Sequence, residues 1–234
     1  MALPYRDTIH DWMFKAALPW WAANGVDRAN GGYVEQVTPD GADAGIAFKR
    51  TRVTARQIYV FSHAHMLGFK PGLDLAAHGV DFLVGKTWNG PAHGFARKLT
   101  LDGGALDPTP DLYDHAFALF ALAWHHRASG DQTSRDWMHR TLDFIETHLR
   151  VKGGEGFWHE LPPKGWRQQN PHMHLTEACL AAFEATGEAR FSTLAKELVG
   201  LFIARFFDAQ SQTLAEFFTE DLARAPGDDG RIVE

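Results

Sequence analysis

Arg56, His115 and His174 follow one another at intervals of 59 residues, each near the start of a stretch with helical character. Tyr113 stands two positions before the second, and Glu177 stands three after the third, about one helical turn on. These residue types suit one kind of chemistry. A histidine titrates near neutrality, so it accepts and returns a proton without a cofactor. An arginine stays charged at any working pH and can hold an anion that develops beside it. Together they suit proton transfer beside a developing negative charge. Residues 170–187 carry much of the pattern. Asn170 is read as a helix cap, Pro171 as its first turn and Gly187 as its end. His174, Glu177 and Ala181 then share one face, while Met173, Leu180 and the alanines are expected to pack. His172 is expected to cap the helix or lie at the surface. His172 and His174 do not suggest a metal, because alternate residues on a helix diverge and zinc needs three or four converging ligands. No metal and no cofactor is expected.

The elements that must position these residues repeat. Val53–Phe69 and Asp111–Gly130 have the same layout as 170–187, with a polar head and a glycine near the end. Ahead of them, the aromatics Tyr33, Phe95, Phe157 and Phe217 are spaced by 62, 62 and 60 residues, and Asp40-Gly41, Gly103-Gly104 and Asp229-Gly230 mark turns. A period of about sixty residues indicates stacked supersecondary units. Each unit reads as a short hairpin-like loop, a helix with a polar N-terminus and an amphipathic helix. Helices are expected at 5–24, 51–69, 72–88, 111–129, 131–149, 171–187 and 188–207. Connectors as short as Ser129-Gly130-Asp131 make successive helices antiparallel neighbours. The expectation is an all-α chain of helical hairpins, one domain over residues 1–234, with short β-like excursions on one side. Another step of 59 from His174 reaches position 233, so a further polar-headed helix should begin at Arg231–Glu234. The chain is therefore read as a C-terminally truncated fragment, whose open flank would let two copies pair as a homodimer.

Composition narrows the partners. The chain has 234 residues, 45% of them hydrophobic, a net charge of −6 and no basic run, which gives no electrostatic case for nucleic acid. No stretch approaches the roughly eighteen apolar residues of a membrane span. Residues 1–19 carry Arg6, Asp7, Asp11 and Lys15 and lack the apolar run of a secretion signal. The single cysteine, Cys179, excludes an internal disulfide and points to a reducing cytoplasm.

Four segments, Asp27–Tyr33, Thr54–Ser62, Tyr113–Phe117 and Asn170–Ala178, occur in an order that resembles the N-acylglucosamine 2-epimerase family, which includes mannose and sulfoquinovose isomerases. The resemblance covers essentially the whole chain. It implies an (α/α)6 barrel, a toroid of which about four of six units are present here. It also implies a sugar isomerase or 2-epimerase acting through an enediolate on a monosaccharide or sugar phosphate. Arg56 matches the family's arginine that holds the sugar near its reacting oxygens, and His174 matches a pocket histidine. Tyr113 and His115 carry over as substrate-binding residues. Glu177 is either a substrate ligand or the partner that orients a neighbour. The two histidines thought to exchange the proton match segments that follow this sequence. The alternatives are a toroidal glycoside hydrolase using Asp111, Asp114 or Glu177, which would need two carboxylates facing one bond, or a non-catalytic sugar-binding fragment.

Overall fold

The computed structural model describes residues 5–42 and 44–227. The expected turn at 228–230 and the helix expected at Arg231–Glu234 lie outside the described residues. Every other expected helix is present. α1 (Arg6–Trp12) runs through a π-helical turn at Met13–Ala17 into α2 (Leu18–Asn24). Pro19 sits at the start of α2, where its missing N–H suits the wide turn before it. Three helix pairs follow. They are α3 (Thr51–Met66) with α4 (Gly72–Lys86), α5 (Leu112–Ser129) with α6 (Gln132–Phe144), and α7 (Asn170–Thr186) with α8 (Ala189–Leu201).

Local chemistry explains the boundaries. Asp111 caps α5 by accepting from the Tyr113 and Asp114 N–H groups, and Gly130 closes it at φ 72°. Asp131 then caps α6 through the Ser134 N–H. α7 differs from the expectation. Gln169 precedes its first residue, Asn170 caps nothing, and the Asn170 Oδ1 is buried without a hydrogen-bond partner.

The helices form two layers. α5 packs between α3 and α7, and each of the three is backed by its own hairpin partner. α5 can hold the middle because Ala116, Ala118, Ala121 and Ala123 are fully buried and let both neighbours approach. One apolar core runs from Val26 to Leu198. The faces of α1 and α7 are less covered than the periodicity implies. Ile9 and Trp12 are exposed, and Met173 and Leu180, expected to pack, are 36% and 48% exposed. Among the described residues no helix is long and apolar enough to cross a membrane.

The β-like excursions set the register between units. Backbone bridges join Val26 to Tyr33, Trp88 to Phe95 and Arg150 to Phe157. In the fourth unit the same step is the pairing of β5 (Phe207–Asp208) with β6 (Thr213–Leu214), so Leu214 takes the place expected for Phe217. Phe217 instead lies in β7 (Phe217–Phe218), opposite Gln168 of β4 (Arg167–Gln168). A small sheet of β1 (Lys49–Arg50), β2 (Lys98–Leu99) and β3 (Ala105–Asp107) covers the first two units. Beyond each bridge a carbonyl reaches back to the preceding inner helix. Arg97, His159 and Glu216 accept from the N–H groups of Thr51, Leu112 and Gln169. These three contacts are equivalent, and they correct the repeat. From Thr51 to Leu112 is 61 residues and from Leu112 to Gln169 is 57, rather than 59 and 59. Two residues of slip cancel over two units, which is why Arg56 and His174 match while His115 does not.

Candidate functional site

Counted from those contacts, Arg56, Phe117 and His174 occupy one level, and Arg52, Tyr113 and Asn170 occupy the level one turn earlier. Each inner helix thus presents a pair at i and i+4 on one face. The side chains meet. The Arg56 Nη2 donates to the Tyr113 hydroxyl at 2.5 Å, and its guanidinium lies 4.3 Å above the Phe117 ring. The His174 ring packs against Tyr113 at 4.7 Å and Phe117 at 4.6 Å. His174 Nδ1 is 2.7 Å from the Glu177 carboxylate, which makes Nδ1 the donor and leaves Nε2 as an acceptor. Burial, together with the nearby Arg56 charge, holds His174 below the ordinary histidine range despite the Glu177 carboxylate. Its imidazole is therefore neutral at pH 7. Arg56, Tyr113, His174 and Glu177 form one cluster.

His115 stands elsewhere. It is fully buried, and both of its ring nitrogens are used by the backbone. Nδ1 donates to the Asp111 carbonyl at 2.7 Å, and Nε2 accepts from the Phe95 N–H at 3.0 Å. His172, expected at the surface or in a cap, repeats this arrangement one unit on. Its Nδ1 donates to the Gln168 carbonyl at 2.8 Å and its Nε2 accepts from the Phe157 N–H at 3.0 Å. Each histidine anchors the loop beside it, and glycine is required there. A β-carbon on Gly94 would fall 2.3 Å from His115 Nε2, and one on Gly156 would fall 2.9 Å from His172 Nε2. Burial pushes both imidazoles down to about 4.

Three residues at this mouth were not singled out by sequence. Asn170 was read as a cap, yet its buried, unpaired Oδ1 sits level with Arg52 and Tyr113. Arg52 was passed over beside Arg56, although the spacing of four places both on one face. Phe117 is the aromatic floor between Arg56 and His174. Two of the three carboxylates of the hydrolase alternative are taken up by arginines, and the third, Glu177, is bonded to His174. Asp114 is fully buried against Arg52, with 2.8 Å contacts to Nε and Nη2, and Asp111 caps α5 while pairing with Arg97 at 3.0 Å. Among the described residues no group of three or more histidines, cysteines or carboxylates is placed to hold a metal ion.

A layered α/α hairpin array carrying a cationic, aromatic and histidine-bearing mouth defines the class as an α/α toroid. The comparisons narrow it further. The family model of N-acylglucosamine 2-epimerase matches residues 18–233, and the chain belongs to that family. The mannose-6-phosphate isomerase of Rhizobium meliloti (strain 1021) is 37% identical over 232 residues, which are 95% of this chain and 58% of that protein. The solved cellobiose 2-epimerase of Spirochaeta thermophila DSM 6192 is 27% identical and superposes with a TM-score of 0.84, over 96% of this chain and 61% of that one. A GH76 α-mannanase of Bacteroides thetaiotaomicron, 12% identical with a TM-score of 0.67 over 92% of this chain and 60% of that one, shares the fold alone. The chain spans about three-fifths of the length of the first two relatives.

Proposed function

We propose that this chain supplies the sugar-holding side of an aldose–ketose isomerase or 2-epimerase site, with Arg56, Tyr113, Asn170 and His174 as its ligand-facing residues and Glu177 bonded to His174. One observation carries the reading. Arg52 is neutralised by a bidentate carboxylate, whereas among the described residues Arg56, four positions on, pairs with no carboxylate and rests only on a hydroxyl and an aromatic face. A guanidinium held this way beside a neutral imidazole is free to take the oxygens of a polyol. It can also take the negative charge that appears on the substrate oxygens when a proton leaves the carbon next to the carbonyl. His174, with Nδ1 committed to Glu177, offers Nε2 as an acceptor for a sugar hydroxyl or for a proton. Glu177 orients His174 and so serves as its partner. His115 falls outside the set, because both of its nitrogens are committed to backbone groups. The family's isomerase and epimerase relatives support the same reaction class, on free or phosphorylated sugars. The buried Cys179, its thiol pushed up to about 12 by burial, is consistent with a cytoplasmic setting.

The test is titration of residues 1–234 with mannose, fructose and N-acetylglucosamine, followed by tryptophan fluorescence and calorimetry. Saturable binding of at least one sugar, weakened about tenfold or more by Arg56→Lys and by His174→Ala, is expected. No binding of any sugar would overturn the proposal. Incubation in deuterated water adds a second reading. With His115 and His172 sealed, deuterium entering C1 or C2 in a reaction run by these residues alone would put the proton transfer on His174.

A further inference from the structure

Among the described residues Asp114 is the one carboxylate that is fully buried, with 0% of its surface exposed. A buried charge is costly, and a tie between two helices could be made as well by apolar groups. What distinguishes Asp114 is how completely it fixes one neighbour. It accepts from Arg52 three times, at Nε (2.8 Å), Nη2 (2.8 Å) and the backbone N–H (3.0 Å). The backbone bond satisfies one of the otherwise orphaned N–H groups in the first turn of α3. Asp111 adds a longer contact to the same Nη2 at 3.4 Å and is itself held by Arg97, which is also bonded to Glu160.

So fixed, the Arg52 guanidinium lies 4.6 Å above the ring of Tyr113, the residue just before Asp114. The hydroxyl of that same ring holds Arg56 at 2.5 Å. Two arginines from successive turns of α3 therefore grip one tyrosine of α5, one on its face and one on its oxygen. Among the described residues only Arg52 of the two has a carboxylate partner. We propose that Asp114 is a positioning residue of the sugar site, which sets Arg56 through the stack of Arg52 on Tyr113. The geometry stands on its own, and its consequence for sugar rests on the reading of Arg56 given above.

The experiment needs no substrate in its first arm. Arg56 is one of the charges that set the proton affinity of His174, together with Glu177 from its own helix. His174 can be followed by NMR in protein labelled with 15N-histidine and assigned with His174→Gln. If the relay operates, Asp114→Asn frees Arg56, and the proton affinity of His174 rises at least about twofold, as it should in Arg56→Gln. The double variant should rise no further than Arg56→Gln alone. Tyr113→Phe, which removes only the hydroxyl, gives the same shift and serves if Asp114→Asn fails to fold. An unmoved His174 in Asp114→Asn or Tyr113→Phe, with Arg56→Gln shifted, reduces Asp114 to a tie between helices and overturns the proposal. An unmoved His174 in Arg56→Gln overturns the arrangement itself.

The second arm measures sugar affinity in a cycle. Asp114→Asn should weaken binding about tenfold in the wild-type background and less than twofold on top of Arg56→Gln. Equal losses in both backgrounds would mean that Asp114 does not act through Arg56. Wild-type protein that binds no sugar counts against the proposed function, while the NMR arm still decides the relay.

Discussion

His172 and His174 are two residues apart on the same helix, and the fold uses them in opposite ways. His172 has both nitrogens in backbone hydrogen bonds and no exposed surface; His174 has one nitrogen on a carboxylate and its ring on a wall of the mouth. α3 shows the same contrast, with Arg52 bonded to Asp114 and Arg56 resting on Tyr113 and Phe117. The difference teaches that residue type does not mark function here. What separates the two histidines is how many of their hydrogen-bonding atoms the chain itself has already used. In these two pairs the saturated group holds units together, and the group with an atom to spare meets Tyr113 and Phe117 in the Arg56–His174 cluster.

The sharpest way to break this comparison is to delete a saturated histidine. His172→Ala should cost roughly 3 kcal/mol in denaturant unfolding, because it strands the Phe157 N–H and leaves a cavity. A loss under about 1 kcal/mol would mean that His172 is not holding its loop. Acid should probe the same histidines. Their folded pKa near 4 lies below the unfolded value of about 6.5, so the unfolded chain binds more protons between those limits. Stability should therefore be lost as pH falls from about 6.5 to 4, by up to roughly 3 kcal/mol for each of the two. Asp114, pushed up to about 6 by burial against the pull of Arg52, titrates the other way and takes back a similar amount. For these three groups the net expectation is a loss of about 3 kcal/mol, to which His63, His125, His159 and His174, also held low by burial, add in the same sense; denaturant midpoints across pH read it, and a flat profile would contradict it.

Smaller effects sharpen the other side. Arg56→Lys keeps the charge but loses the planar fork, and should weaken sugar binding about ten- to a hundredfold while moving the unfolding midpoint little. A melting temperature that falls along with affinity would make Arg56 structural. Glu177→Gln should be smallest, about twofold in affinity, and should lower the proton affinity of His174 because the charge that raises it is gone. NMR titration of His174 reads that sign directly.

Much of the architecture was legible in the sequence because it rests on local signals. Asp111, Gly130, Pro171 and Gly187 mark helix ends by capping chemistry, and the repeat near sixty residues exposed the stacked hairpins. The register between units was legible only to within two residues. Loop lengths vary from unit to unit, and the contacts that fix the register are backbone hydrogen bonds, which leave no mark on residue type. That slip put His115 in the candidate set and kept Phe117 out. Asn170 was misread because an asparagine before a proline looks like a cap, and whether a helix begins before or after it depends on the neighbouring strand. Arg52 and Asp114 were visible as residue types, but their pairing crosses 62 positions and needs the fold.

The central claim is that two faces of α7, one carrying His172 and the other His174, divide structure from binding, and one paired measurement tests it. His172→Gln and His174→Gln are made separately, and each is assayed for unfolding free energy and for sugar affinity in the same buffer at pH 7.5. The account predicts that His172→Gln loses stability by roughly 2 kcal/mol or more while the folded fraction binds sugar as wild type does. His174→Gln should unfold within about 0.5 kcal/mol of wild type yet bind sugar about tenfold more weakly. A His172→Gln protein of undiminished stability that has lost its sugar, or a His174→Gln protein that binds normally but melts early, would contradict the division.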